Sequence, residues 1–332
     1  MRAAVVEKPH VLVIKDIPEP VIGKDEFRIK VLASSICNAT DNHITEGIFD
    51  GYHDHYPQVL GHEVCGVVDF LGENVNQYKI GDRVVLYTPN GAFAEYVKVS
   101  KYSNCAKIPD NMSNEEAAIC EMFDGAYTCM VAPAELKKED KVLVIGAGPL
   151  GLTAIGAASQ FSDCVIAIDF YKNRLDMAKT MGAKKTYNRS DMLSDEIIEA
   201  IKRDIGEVDV VFMCIALDRS RELDAFYIPV EVLRYNGRMA GLNVEVKLQN
   251  HNHKMNPFHL NRKNIKYRHM LERDAKSADF QYGIDLVSEG KIPMKEMITH
   301  YIKLEELPEA LRLCHEELDK VIKVIVYAGL NP

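Results

Sequence analysis

Along the first hundred residues apolar and polar positions alternate over short stretches punctuated by turn residues. Phe27, Ile29 and Val31 alternate with charged neighbours, the pattern of a half-buried strand. Val64–Leu71 and Arg83–Leu86 are further apolar runs, closed by Gly72 and introduced by Gly81-Asp82. These patterns predict a β-rich, compact, barrel-like unit. From about Asp124 to Arg262 the rhythm becomes strand, then helix, repeatedly. Val142–Ile145, Val165–Ile168, Val208–Cys214 and Arg238–Gly241 read as strands, and Asn173–Met181 and Ser194–Ile205 as helices. Continuous apolar strands alternating with helices predict a parallel sheet covered on both faces. The last seventy or so residues carry helical patterns at Ala278–Ser288 and Leu307–Glu316 and a final strand, Lys323–Tyr327, expected to fold back onto the first unit. The fold class expected is α/β: a doubly wound parallel sheet over 124–262, and a β-rich domain built from 1–123 and 263–332. The two domains are expected to meet at a cleft.

One junction carries chemistry. Val142-Leu-Val-Ile runs into Gly146, Gly148 and Gly151, a G-x-G-x-x-G pattern between a strand and a helix that opens with Pro149 and Leu150. The first glycine suits the tight turn, the second a close backbone approach to a pyrophosphate, and the third close packing of helix on strand. Amides opening that helix favour phosphate. The next apolar strand ends at Asp169, eighteen residues beyond Gly151. A carboxylate there accepts hydrogen bonds from both ribose hydroxyls and repels a 2′-phosphate, so the expected cofactor is NAD.

Bulk properties narrow the class. At 332 residues the chain is long enough for two domains with substantial cores, and 47% hydrophobic with 27% charged residues is ordinary globular composition. A net charge of −9 lacks the basic footprint of a nucleic-acid binder. No apolar run is long enough to predict a membrane span, and the N-terminus passes straight into a strand pattern. The eight cysteines include no C-x-x-C pair, which suits reduced thiols and makes the cytoplasm the expected location.

Cys37, His62-Glu63 and Glu121 supply a thiol, an imidazole and carboxylates from separate segments, the donor types of a catalytic zinc site with an open position. Taken singly, a core thiol, a turn histidine and a solvated acid describe them equally well. Five stretches add weight: Ser35-Ile-Cys-Asn-Ala-Thr-Asp41, Pro57-Gln-Val-Leu-Gly-His-Glu63, Gly81-Asp-Arg-Val84, Gly91-Ala-Phe-Ala-Glu-Tyr96 and the glycine fingerprint. In this order they resemble the zinc-dependent medium-chain dehydrogenases/reductases, the alcohol dehydrogenase superfamily, of polyol- and threonine-dehydrogenase type, over essentially the whole chain. The resemblance implies a GroES-like catalytic domain beside a Rossmann domain. It also implies Cys37, His62 and Glu121 as zinc ligands, with Glu63 able to approach the metal during ligand exchange and Asp41 orienting the histidine. Thr40 and His43 become the proton-relay candidates. Arg174 is implied near the adenine or ribose, and Lys323 near the pyrophosphate.

The chain departs from the family pattern in two places. Thr40 lies three residues after Cys37 instead of two, which implies a small bulge and leaves a turn-capping role open for Thr40. No cysteine lies between Cys65 and Cys105, so the lobe that holds a structural zinc in many relatives is expected to be absent. His251, His253 and His259 suit a solvated loop or subunit contact better than a second metal site. The expected activity is oxidation of a secondary alcohol, polyol or amino alcohol to the ketone by a homodimer or homotetramer. The alternatives are a zinc-free quinone or enone reductase of the same fold and a non-catalytic NAD-binding protein.

Overall fold

Residues 1–48, 55–215, 224–241, 263–269 and 277–329 are described by the structure, a computed structural model. The chain separates into two units. One comprises Met1–Asp124, Lys276–Gly290 and Met294–Pro332, the other Gly125–Ala275 and Lys291–Pro293.

In the first unit, β1 (Arg2–Lys8) and β2 (Val11–Asp16) form an antiparallel hairpin. The long β3 (Glu26–Ser35) leads to a short helix, α1 (Thr40–Glu46), and β4 (Gln58–Val59) returns to pair with β1. Then follow β5 (Glu63–Leu71), β6 (Arg83–Tyr87), β7 (Tyr96–Ser100), β8 (Cys105–Lys107) and α2 (Asn114–Ile119). The expected alternation in β3 is present: Phe27, Ile29 and Val31 are buried against Val64, Val68, Val84 and Leu86, with Lys30 facing solvent. Past Val31 the pattern changes, and Ala33, Ser34 and Ser35 are all buried. Two polar residues thus sit in an enclosed strand end, where every hydroxyl needs a partner.

The second unit runs β9 (Lys141–Ile145), α3 (Pro149–Ala158), β10 (Cys164–Asp169), α4 (Lys172–Thr180), β11 (Lys185–Asn188) and α5 (Ser194–Asp204), then β12 (Val208–Met213), α6 (Asp224–Val232), β13 (Leu233–Gly241) and β14 (Lys266–His269). All six strands are parallel, in the order β11-β10-β9-β12-β13-β14. This is the doubly wound order, whose reversal point lies between the first strand of the unit and the fourth. Val142, Leu143 and Val144 have no exposed surface, because the central strand is covered on both faces.

The chain returns to the first unit through α7 (Ser277–Ser288), β15 (Ile298–Lys303), α8 (Leu307–Glu316) and β16 (Lys323–Tyr327). β16 lies between β15 and β3 and so enters the larger sheet of the first unit, ordered β15-β16-β3-β5-β6-β8. The return falls later than the sequence pattern suggests. Residues 266–269 pair in parallel with β13 and stay with the second unit, whereas the polar run Lys-Tyr-Arg-His carries no strand periodicity.

Arg238 of β13 ties this sheet to the segment before β9. Its guanidinium donates to Asp140 Oδ2 at 2.6 Å and to the carbonyl of Ala134, and the Asp140 side chain is almost wholly buried. Arg238→Ala is expected to lower stability by about 1–3 kcal/mol, since it strips a buried carboxylate of its charged partner while the Lys137 amide stays. Denaturant unfolding reads this directly, and an unchanged midpoint would refute the tie.

Candidate active site

β3 ends at Ser35, and the Ile36 amide donates to the carbonyl of Val324, which fixes where the chain leaves the sheet. Cys37 follows in the turn before α1. Asp41, on the first turn of α1 and fully buried, accepts the Cys37 amide through Oδ2 at 2.9 Å and faces His62 Nδ1 through Oδ1 at 3.4 Å. With Nδ1 turned to a carboxylate, the other ring nitrogen is directed elsewhere. Donor atoms of Cys37, His62 and Glu63 all lie within 4.8 Å of one another. Around a tetrahedral zinc such atoms stand about 3.3–3.8 Å apart, so the three fit one ion with small side-chain adjustments.

Charge interactions couple the members of this group. Burial pushes the Cys37 thiol up, but the charge and hydrogen bond of His62 outweigh it, so the thiol is held below its ordinary range. Burial opposes charge on His62, yet Cys37 and Asp41 hold its pKa well above the usual value. Each of the two thus favours the charged form of the other. Glu121 follows α2, is 8% exposed, and its carboxyl is pushed up to about 8 by burial and then by the charge of Glu63. His62 opposes that rise, while Asp124 and Cys37 add to it.

Thr40 is the first residue of α1, whose N-cap is Ala39 with no side-chain capping bond, so Thr40 does not cap the turn. The extra residue before it is absorbed by burying Asn38, whose Nδ2 donates to the carbonyl of Ile322 at 3.3 Å. His43 is half-buried on the same helix.

In the second unit the glycine turn has the expected mechanics. Gly146 adopts φ +89°, and its amide donates to the carbonyl of Ile168 at 2.9 Å. A Cβ on Gly151 would lie 1.8 Å from the Gly146 carbonyl oxygen, so only glycine fits there. At Gly148, by contrast, a Cβ would meet only Arg174 Nη1, at 3.8 Å. That open backbone, capping α3 ahead of Pro149, leaves the amides of Leu150 and Gly151 for an anion. Arg174 lies beside this opening, its guanidinium 5.1 Å from the centre of the Tyr171 ring. Asp169 ends β10, buried, with Oδ2 accepting the Ala147 amide at 2.7 Å and Oδ1 the Tyr171 amide at 2.9 Å. Each oxygen keeps a second lone pair for a ribose hydroxyl.

Residues 23–110 match the alcohol dehydrogenase GroES-like domain family, and residues 149–289 the zinc-binding dehydrogenase family. A sorbitol dehydrogenase of Bacillus subtilis is 30% identical, the alignment covering 98% of this chain and 97% of that protein. The chain belongs to the zinc-dependent medium-chain alcohol dehydrogenase superfamily. An L-threonine 3-dehydrogenase of a Marinomonas species is 32% identical over 70% of this chain and 74% of its own. In overall fold the chain is similar to zinc-dependent alcohol dehydrogenase 2 of Streptococcus pneumoniae, with TM-score 0.85, 24% identity and coverage of 100% and 99%.

Three expected site residues of this alcohol dehydrogenase-superfamily chain are placed by the first unit. Lys323, expected at the pyrophosphate, is fully buried in the first unit, with Nζ donating to the carbonyl of Ile36 at 2.8 Å and to Glu63 Oε2. Its charge is balanced by Glu63, because a lysine with no exposed surface needs a carboxylate counter-ion. Glu63, expected to approach the metal during ligand exchange, joins Cys37 and His62 in the group of three, while Glu121, expected as the third ligand, is buried near enough to feel the charge of all three. Sequence reasoning missed one member altogether. Ser35 donates through Oγ to Glu63 Oε2, and its only advance signal was its place in the motif that ends in Cys37. The histidine-rich stretch 251–259 lies outside the described residues.

Proposed function

We propose that this protein is an NAD-dependent, zinc-dependent dehydrogenase that oxidises a secondary alcohol, polyol or amino alcohol to the ketone, and reduces the ketone in reverse. The observation that carries this reading is the close group of partly buried Cys37 with buried His62 and Glu63, with Asp41 behind the histidine, on a chain that also bears a dinucleotide cradle. When bound, zinc supplies Lewis acidity toward the substrate hydroxyl, and NAD accepts the hydride from the carbinol carbon. Cys37, His62 and Glu63 are the residues that would hold the ion. Glu121, buried close enough that the charges of Glu63, His62 and Cys37 all act on it, is the alternative third ligand. Thr40 and His43, on the helix that follows Cys37, pass the hydroxyl proton outward. Gly146, Gly148, Leu150 and Gly151 hold the pyrophosphate, Asp169 the ribose, and Arg174 flanks the adenosine end.

Relatives named for sorbitol and L-threonine support a hydroxylated metabolite as substrate. One zinc per chain is the stoichiometry we propose, since no cysteine lies between Cys65 and Cys105 to build a structural site. Eight free cysteines support a reducing compartment, the cytoplasm. Among the described residues no helix is long and apolar enough to cross a membrane. We propose a homodimer or homotetramer, in line with the prevalence of closed symmetric assemblies.

The test is NADH formation from NAD across a panel of alcohols, polyols and amino alcohols, with and without a zinc chelator. Chelator-sensitive turnover is the expected result. Turnover indifferent to the chelator would move the chain to the zinc-free reductases, and zinc and NAD binding without turnover would indicate a retired active site.

A further inference from the structure

The proposed metal group is backed by a contact that neither motif nor family expectation assigns. Ser35 has no exposed surface and stands between two strands, paired with Glu63 on β5 and with Ile325 on β16. Lys323 precedes Ile325 by two residues, so its side chain leaves β16 on the same face. Ser35 Oγ and Lys323 Nζ both donate to one oxygen, Oε2 of Glu63. Two donors engage both lone pairs of that oxygen, which leaves Oε1 as the oxygen available to a cation. The two donors differ in what they impose. An ammonium on a four-carbon stem supplies charge with freely rotating donors. A hydroxyl one carbon removed from a strand backbone pinned on both sides supplies direction.

We propose that Ser35 is a positioning residue of the metal site, holding the Glu63 carboxylate so that Oε1 faces Cys37 and His62 and completes a three-donor set. This rests on the metal reading above. Partners that orient metal ligands typically contribute about 10–100-fold to metal affinity.

The test compares wild type with Ser35→Ala as full-length, metal-free protein, titrated with zinc against a competing chelator and separately with cobalt(II). The expected result is zinc affinity lowered about 10–100-fold and shifted cobalt ligand-field bands, with far-UV dichroism and NAD affinity kept. A merely structural serine would leave the cobalt bands in place. Wild-type bands and wild-type zinc affinity in Ser35→Ala overturn the proposal. If the alanine variant does not fold, Ser35→Gly carries the same expectation, because it too removes only the hydroxyl-bearing side chain. Wild-type protein that takes up neither metal overturns the metal reading itself, and this proposal with it, whereas wild-type uptake with an unaltered variant overturns the positioning role alone.

Discussion

Cys37→Ala is expected to abolish zinc binding and lower turnover by roughly 10³-fold or more, since a Lewis acid at the reacting hydroxyl is worth several kcal/mol of transition-state stabilisation. The thiol is the strongest donor of the group of three, and its charge sustains His62 in the buried site. Remove it and the imidazole loses its first counter-charge, leaving Asp41 as the remaining one. The variant should still fold, because Cys37 is only partly buried and its replacement opens little cavity. NAD affinity should stay near wild type, since Gly146, Gly148 and Asp169 belong to the other unit. Zinc content, single-turnover rate and NAD titration check the three parts separately. Normal turnover by a zinc-free Cys37→Ala would falsify the metal role.

Asp169→Gly should have two effects at once. Selectivity for NAD over NADP should fall, because the carboxylate that repels a 2′-phosphate is gone. Stability should fall as well, by about 2–4 kcal/mol, since two amides lose their acceptor and that of Ala147 is buried. The second effect comes from geometry that sequence spacing does not report: the acid is also a strut between β10 and the glycine turn. Comparing kcat/KM for the two cofactors alongside thermal unfolding separates the effects. A variant that melts like wild type and keeps its preference would remove Asp169 from both roles.

The parallel sheet was the most legible part of the fold. Strands buried on both faces must be continuously apolar, so Val142–Ile145 and Val165–Ile168 stand out from their neighbours and the observed β9 and β10 extend them by a residue or two. The final strand Lys323–Tyr327 appears at the expected bounds. Less legible were β11 and β14, with sequences Lys-Thr-Tyr-Asn and Lys-Tyr-Arg-His, which lie at the two edges of the sheet. An edge strand pairs on one side only and is not required to be apolar, so its periodicity is weak.

At the site, Cys37 and His62 were legible through the motifs around them, and Gly146, Gly148 and Gly151 through the physics of a phosphate turn. These are local properties: whether a residue can adopt φ +89°, ligate a soft metal or cap a helix depends on its own chemistry and near neighbours. Which carboxylate joins the thiol and imidazole is not local. Glu63 follows His62 directly in the chain, but its approach to Cys37 depends on the antiparallel register that sets Ser35 opposite Glu63. The place of Lys323 is decided in the same way, by the insertion of β16 beside β3. The sequence by itself thus determined the fold class, the cofactor turn and the donor types. The tertiary structure decided which donors meet and which charges balance them, because contact and burial depend on strand register between segments as far apart in the chain as Ile36 and Lys323.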